Sequence, residues 1–285
     1  MTNITLSSSA VLVDLNISVW TGRKMDKKVS AEIDYAKGTS VRAGNYNKEL
    51  MAGASELAAV NKYAALLRNW HAKRTLPWSD SGTRIISTAQ LFDYKADLAI
   101  KEGEFQTLVR GFMDQYDTLV QAAQFRLGSL FDADEYPPSD VVESKFGIRY
   151  VFSPVPEAGD FRVDIGAQGL DELRRQYETN QNRYVQQAMA DMWERVRTVT
   201  ERLSNQLRVT DNDKGKLYQS TLDGALELCS MMDSMNLTGD IEMDKVRKSL
   251  YMTLNGIDMK ELKKDDAARA AVKQELDDLI SKFSF

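Results

Sequence analysis

Hydrophobic positions change period several times along the chain, and each change predicts an element. From Val11 to Trp20 the residues Val11, Val13, Leu15, Ile17 and Val19 alternate with Leu12, Asp14, Asn16, Ser18 and Trp20. Period two with β-branched residues predicts a strand, which Thr21 and Gly22 end. Residues 24–37 predict a short helix and residues 44–74 a longer one. In the longer one Tyr46, Leu50, Ala54, Leu57, Ala64 and Leu67 recur at helical spacing, and Pro77 stops the pattern. Residues 88–131 predict one long helix or two in series. Their stripe runs through Phe105, Leu108, Phe112, Tyr116, Leu119, Ala123, Leu127 and Leu130, with Gly103 and Gly111 as candidate bends. Pro137 and Pro138 end it, and Ser139 can cap a short helix reaching Phe146.

The period then returns to two. Residues 147–153 and 161–165 predict a hairpin whose loop is stiffened by Pro154, Pro156 and Gly159. Two strands alone are marginal, so the strand at 11–20 is the natural third member. Residues 169–209 carry the strongest helical pattern. Val185, Met189, Met192, Val196, Val199 and Leu203 make a seam with a period near 3.5, suited to coiled-coil packing and in need of a partner from the same chain or a copy. Leu170, Leu173, Tyr177 and Tyr184 extend it towards the N-terminus. Residues 216–235, 240–254 and 258–283 predict further helices. The expected fold is mainly α (α+β): long amphipathic helices with coiled-coil-like packing plus a small three-stranded antiparallel sheet near 11–20, 148–152 and 161–165. Its expected division is a helical domain with the sheet over residues 1–209 and a smaller C-terminal helical region over 210–285.

Composition narrows the function classes. With 285 residues, 43% hydrophobic and 28% charged, the chain can bury a core without metals or disulfides. Net charge is −5, and no segment is strongly basic: residues 145–209, the most positive, reach only +1. Tight binding to a phosphate backbone needs clustered Lys and Arg, so it is not favoured. The lone cysteine, Cys229, allows no intramolecular disulfide and suits a reducing compartment. No apolar run reaches about 18 residues, so no membrane-spanning helix is expected. Asp14 interrupts an N-terminal stretch without early Lys or Arg, which makes a poor secretory leader.

Candidate chemistry is sparse. His71 is the only histidine, so a Ser-His-Asp or Cys-His arrangement would have to use it, and it sits mid-helix beside Trp70. Zinc needs several Cys or His ligands. Asp211, Asp213 and Gly215 mimic part of a calcium loop, but the glycine is at the fifth position rather than the sixth, and Leu222 stands where a ligating Glu belongs. No phosphate-binding glycine motif is present. No catalytic residue, metal or cofactor is therefore expected.

Binding candidates remain. Trp78, Asp80, Ser81 and Gly82 form a tight loop in which Trp78 is either an exposed anchor or a core plug, with Asp80 or Ser81 capping the following helix. Core filling is the ordinary use of such a residue. Pro154 and Pro156 preorder a second loop, and a preordered loop loses less entropy on binding. Arg174, Arg175 and Arg183 head a helix with seven Arg and no Lys, able to contact phosphates or carboxylates, or simply to form a solvated, salt-bridged face with six acidic neighbours. Met231, Met232 and Met235, near Met243 and Met252, fill a core or form an adaptable surface.

Five segments carry a family resemblance: residues 15–24 (LNISVWTGRK), 44–49 (GNYNKE), 76–82 (LPWSDSG), 91–95 (LFDYK) and 146–164 (FGIRYVFSPVPEAGDFRVD). Together they resemble an uncharacterised family of tailed-bacteriophage proteins, a domain of unknown function often encoded near a MoxR-type AAA ATPase. The resemblance covers roughly residues 11–200. It implies a phage origin, a host bacterial cytoplasm location and a remodelling ATPase as a candidate partner. The function expected first is a non-enzymatic phage interaction or assembly protein that forms homo-oligomers through its long helices. Two alternatives stand beside it: a nucleic-acid-handling protein of phage recombination or replication, analogous in layout to single-strand annealing proteins, and an acidic inhibitor of a host enzyme.

Overall fold

The computed structural model describes residues 6–157, 166–210 and 214–282. In chain order the elements are α1 (Leu6–Ser9), β1 (Ala10–Ser18), β2 (Arg23–Asp26), α2 (Lys27–Ala36), β3 (Tyr46–Glu49), α3 (Ser55–Arg74), β4 (Leu76–Pro77), β5 (Arg84–Ser87), α4 (Leu91–Met113) and α5 (Tyr116–Leu127). Two 3₁₀ turns, Gly128–Leu130 and Ala133–Glu135, lead to α6 (Ser139–Glu143), β6 (Gly147–Pro154), α7 (Gly166–Leu207), α8 (Gln219–Met235), α9 (Ile241–Leu254), α10 (Met259–Leu262) and α11 (Asp266–Lys282). No helix among the described residues is long and apolar enough to cross a membrane.

The fold is mainly helical with a small antiparallel sheet, but the sheet differs from the expected three strands. One sheet has four strands in the order β4-β5-β1-β6, and a separate one pairs β2 with β3. In the larger sheet Ala10 faces Ser87, Leu12 faces Ile85 and Val13 faces Arg84, while Leu76 and Pro77 of β4 face Ile85 and Arg84. Pro77 is tolerated because β4 is an edge strand, where a missing N–H costs no ladder bond. The strand expected at Phe161–Ile165 lies outside the described residues. Residues 46–49, expected to open a helix, form β3, and α3 starts only at Ser55, after Gly53 turns the chain at φ +75°. The 88–131 region is two helices in series, and its break falls at Asp114 and Gln115 rather than at Gly103 or Gly111.

The chain divides into two compact units: Met1–Asp14 with Ala72–Asp93 and Phe152–Phe285, and Leu15–His71 with Tyr94–Val151. The division does not follow the expected boundary after residue 209, since residues 210–285 fall in the same unit as 152–209.

In the first unit α7 packs on α8 and α11, α8 on α9, and α9 on α11, which closes a ring of four helices; β4 also lies against α7. The α7 seam supplies the centre: Met192, Val196 and Leu203 are at most 1% exposed. Facing them are Leu222, Met232, Met235, Met243, Val246, Leu250 and Leu276, all in one cluster. The expected coiled-coil seam is thus met by two helix neighbours and a strand, in the manner of a bundle. Three arginines finish helix ends in this unit. Arg84 and Arg195 both donate to the carbonyls of Ala72 and Thr75 at the C-terminus of α3. Arg269, 2% exposed, donates to the carbonyls of Gln206, Leu207, Arg208 and Gly215 at the end of α7. A cation there satisfies orphan carbonyls and complements the helix dipole. Gly215 is required at this junction, because a Cβ would sit 2.3 Å from the Gln206 carbonyl oxygen.

In the second unit α3 and α4 lie antiparallel. Trp70 stacks on Tyr94 with centroids 4.8 Å apart, Lys101 lies over Trp70, and seven residues earlier on α3 the Tyr63 hydroxyl bonds Glu104. Their inner faces bury Leu57, Val60, Ala64 and Leu67 on α3 and Leu98, Phe105, Val109 and Phe112 on α4. The β2-α2-β3 module is held by a buried cation. Lys48, 4% exposed, lies 2.5 Å from Glu135 and 3.4 Å from Asp26 and donates to the Leu130 carbonyl at 2.7 Å. Asp26 in turn caps α2 by accepting from the N–H groups of Lys28 and Val29.

Burial alone would push the Lys48 ammonium down, but Glu135 and Asp26 outweigh it and hold its pKa above the ordinary lysine value. The Val29 N–H, with Lys48, holds the Asp26 carboxyl below its usual range against partial burial. Lys48→Met leaves Asp26 without its cation and Glu135 with Lys24 alone, 3.8 Å away, and is expected to cost about 3 kcal/mol in urea unfolding at pH 7. Asp26's contribution is present above its unfolded pKa of about 3.9 and is lost as pH falls through the lowered folded value. Lys48's contribution is present below about 10.4 and is lost only as pH rises through the raised folded value. The wild-type advantage over Lys48→Met should therefore hold across neutral pH and shrink below about pH 4. A difference under about 0.5 kcal/mol at pH 7 would contradict the assignment.

Candidate functional site

The two loops expected to bind reach one helix in the first unit. The Trp78 loop is the turn of the β4-β5 hairpin: the N–H groups of Trp78 and Ser79 donate to the Thr83 carbonyl, and Gly82 adopts φ +96°. Trp78 meets Tyr184 of α7 with ring centroids 5.6 Å apart. Further along, the Tyr177 hydroxyl donates to the Pro156 carbonyl. Seven residues of helix separate the two contacts, about 10 Å along the axis.

Of the two readings of Trp78, the core plug is the one the burial supports, and the anchor role is lost. Trp78 is 5% exposed and belongs to the core cluster with Leu76, Ile85 and Met189, so it is a plug and has no free face to anchor a partner. Asp80 and Ser81 cap no helix, because the strand β5 follows. Asp80 is exposed at the tip of the turn, and Ser79 and Ser81 hydrogen-bond each other at 2.7 Å. Pro154 and Pro156 are exposed, while Val155 between them is buried at 2% and fastens the segment. The far end of that loop, Gly159, lies outside the described residues.

The three candidate arginines do not converge. Arg174 pairs with Asp171 at 3.8 Å, Arg175 is exposed, and Arg183 lies 5.2 Å over the Tyr184 ring. At about 100° per residue, Arg174, Arg175 and Arg183 point to three different sides of α7. The same helix spends Arg195 on the end of α3 and on Asp191 at 2.7 Å. A groove with three cations, one carboxylate and an exposed ring lies instead near the end of α7, lined by Glu201, Arg202, Asn205, Arg208, Lys216 and Tyr218, the last 52% exposed. The even scatter of Arg along α7 concealed it, since it also needs Lys216 and Tyr218 from outside that helix.

The groups with intrinsic reactivity are built in. His71 is 7% exposed, with Nδ1 2.7 Å from the Tyr94 hydroxyl. Cys229 is buried, and burial pushes its thiol up to about 11, which makes it a poor nucleophile at neutral pH. Met231, Met232, Met235 and Met243 fill the first unit's core, whereas Met252 is 80% exposed. Among the described residues no group of three His, Cys, Asp or Glu is placed to hold a metal ion; Asp211 and Asp213 lie outside them. Compared with protein-family models, curated proteins and solved structures, the chain matches none.

Trp78→Ala empties a site in the first unit's core and is expected to cost about 3–5 kcal/mol in urea unfolding. Asp80→Ala, at the exposed tip two residues away, should change stability by less than about 0.5 kcal/mol. Similar small effects from both would return Trp78 to the surface.

Proposed function

We propose that the protein is a non-enzymatic interaction or assembly protein that associates with copies of itself through its long helices. The observation that carries this reading is a contrast in how side chains are used. Reactive or charged groups with a defined setting, His71, Cys229, Lys48, Arg195 and Arg269, are tied into the fold. Large apolar side chains, by contrast, stand in solvent on helices: Leu66 at 54%, Ile100 at 62% and Phe125 at 87%. Apolar surface of this kind on helices is available to a partner, and that availability supports the reading. The α7 seam does not serve for this, being filled from within the chain. The resemblance to tailed-phage proteins supports a host-cytoplasm setting and an AAA ATPase as a further partner.

One observation favours a second reading, nucleic-acid handling. The groove at Arg202, Arg208, Lys216 and Tyr218 combines cations with an exposed ring, the pairing that single strands use for phosphates and stacked bases. Net charge of −5 weighs against it. A salt-sensitive gel shift of single-stranded DNA that Tyr218→Ala abolishes would favour this second reading.

Light scattering of the purified protein at micromolar concentration should find a dimer or larger species. Monomer alone at up to about 100 μM would overturn self-association, since weaker contacts than that fall outside the range of stable interfaces. Co-expression with the neighbouring ATPase should co-purify the two, and failure to do so removes that partner from the reading.

A further inference from the structure

We infer that the outward face of the α3-α4 pair is the surface that receives a second copy, with α3 lying over the copy's α4. This rests on the self-association reading and adds the interface and its register. The ordinary pattern for a surface helix is one apolar stripe facing in and a polar face out. These two helices break it. Beyond their buried inner faces, Ala65 and Leu66 on α3 and Ala96, Ala99, Ile100 and Gly103 on α4 are exposed. These outer faces also carry exposed Lys62, Asn69 and Glu104, so Leu66 at 54% and Ile100 at 62% stand as apolar points within a mixed surface. Small residues at positions 96, 99 and 103 would let a further helix approach closely beside Ile100.

The charges at the edge choose the occupant. Lys62 stands one turn before Leu66 on α3, and Glu104, one of whose carboxylate oxygens accepts from its own chain's Tyr63, one turn after Ile100 on α4; both are exposed. Because α3 and α4 run antiparallel, a two-fold axis parallel to them sets α3 antiparallel against the copy's α4. Leu66 then meets the copy's Ile100 while Lys62 meets the copy's Glu104, and the symmetry repeats both contacts. The alternative axis sets α3 on α3, with Leu66 against itself and Lys62 facing no carboxylate. The first arrangement is self-complementary in shape and in charge, and it yields an antiparallel set of four helices.

Variants with one added cysteine test it, because native Cys229 is buried and silent. Leu66→Cys and Ile100→Cys are exposed positions, and unchanged circular dichroism would confirm that both variants fold. Mixed in equal amounts and oxidised, the two should cross-link into a dimer of unlike chains, while neither alone should cross-link beyond trace levels. As a second readout, Glu104→Lys should weaken self-association about tenfold, and Lys62→Glu added to it should restore most of that loss. Efficient cross-linking of Leu66→Cys with itself would overturn the register. A dimer by light scattering with no cross-link in any mixture would overturn the interface and leave self-association standing. Monomer throughout would overturn both.

Discussion

The buried half of α7 is the contact on which the first unit depends. Met192, Val196 and Leu203 are covered almost completely, and α8, α9 and α11 close a ring beside them. Burying side chains of this size stabilises by about 1.5–3 kcal/mol each, before the loss of conformational entropy is counted. The ring therefore has a purpose as a core, and the heptad-like spacing is explained without a second copy. The two ends of this arrangement are finished by guanidinium groups, Arg195 and Arg84 on α3 and Arg269 on α7, which meet carbonyls that would otherwise be orphaned.

That constraint relocates the surface available for association. With its seam consumed internally, α7 offers a partner mainly polar residues, and its arginines face several directions. Uncovered apolar side chains remain on α3 and α4, as they do on α2, α5 and α9. The inner faces of α3 and α4 already build the second unit's core, so Leu66 and Ile100 are surplus to folding. The chemistry-bearing residues follow the opposite logic. Lys48 spends its charge inside a cluster with Glu135 and Asp26 that pins the β2-α2-β3 module, and the Cys229 thiol is suppressed by burial.

Helical order was legible because the apolar period is long and repeated: α7, α8, α9 and the α4-α5 pair all lie where the spacing places them. Strands shorter than one full alternation were not. Leu76 and Pro77 form β4 only because Ile85 and Arg84 pair with them, and the polar run Tyr46–Glu49 becomes β3 only against Arg23–Asp26. Neither carries a period of its own. Trp78 illustrates the limit for sites: aromatic, proline, glycine and carboxylate in one loop admit an anchor as well as the more ordinary plug, and Tyr184, more than a hundred residues away, decides the matter. Spacing cannot reveal Arg269 either, because its partners are backbone carbonyls on another helix. The apolar outer face of α3 and α4 was present in the sequence, but it could be told from the core face only once burial was known.

The most direct measurement is hydrogen exchange followed by mass spectrometry across a concentration series. If α7 is completed within the chain and α3-α4 receives the copy, peptides from residues 185–207 are protected equally at all concentrations. Peptides from residues 58–69 and 96–107 gain protection as concentration rises through the association range. Protection that grows in 185–207 while 58–69 and 96–107 stay unchanged would contradict the account.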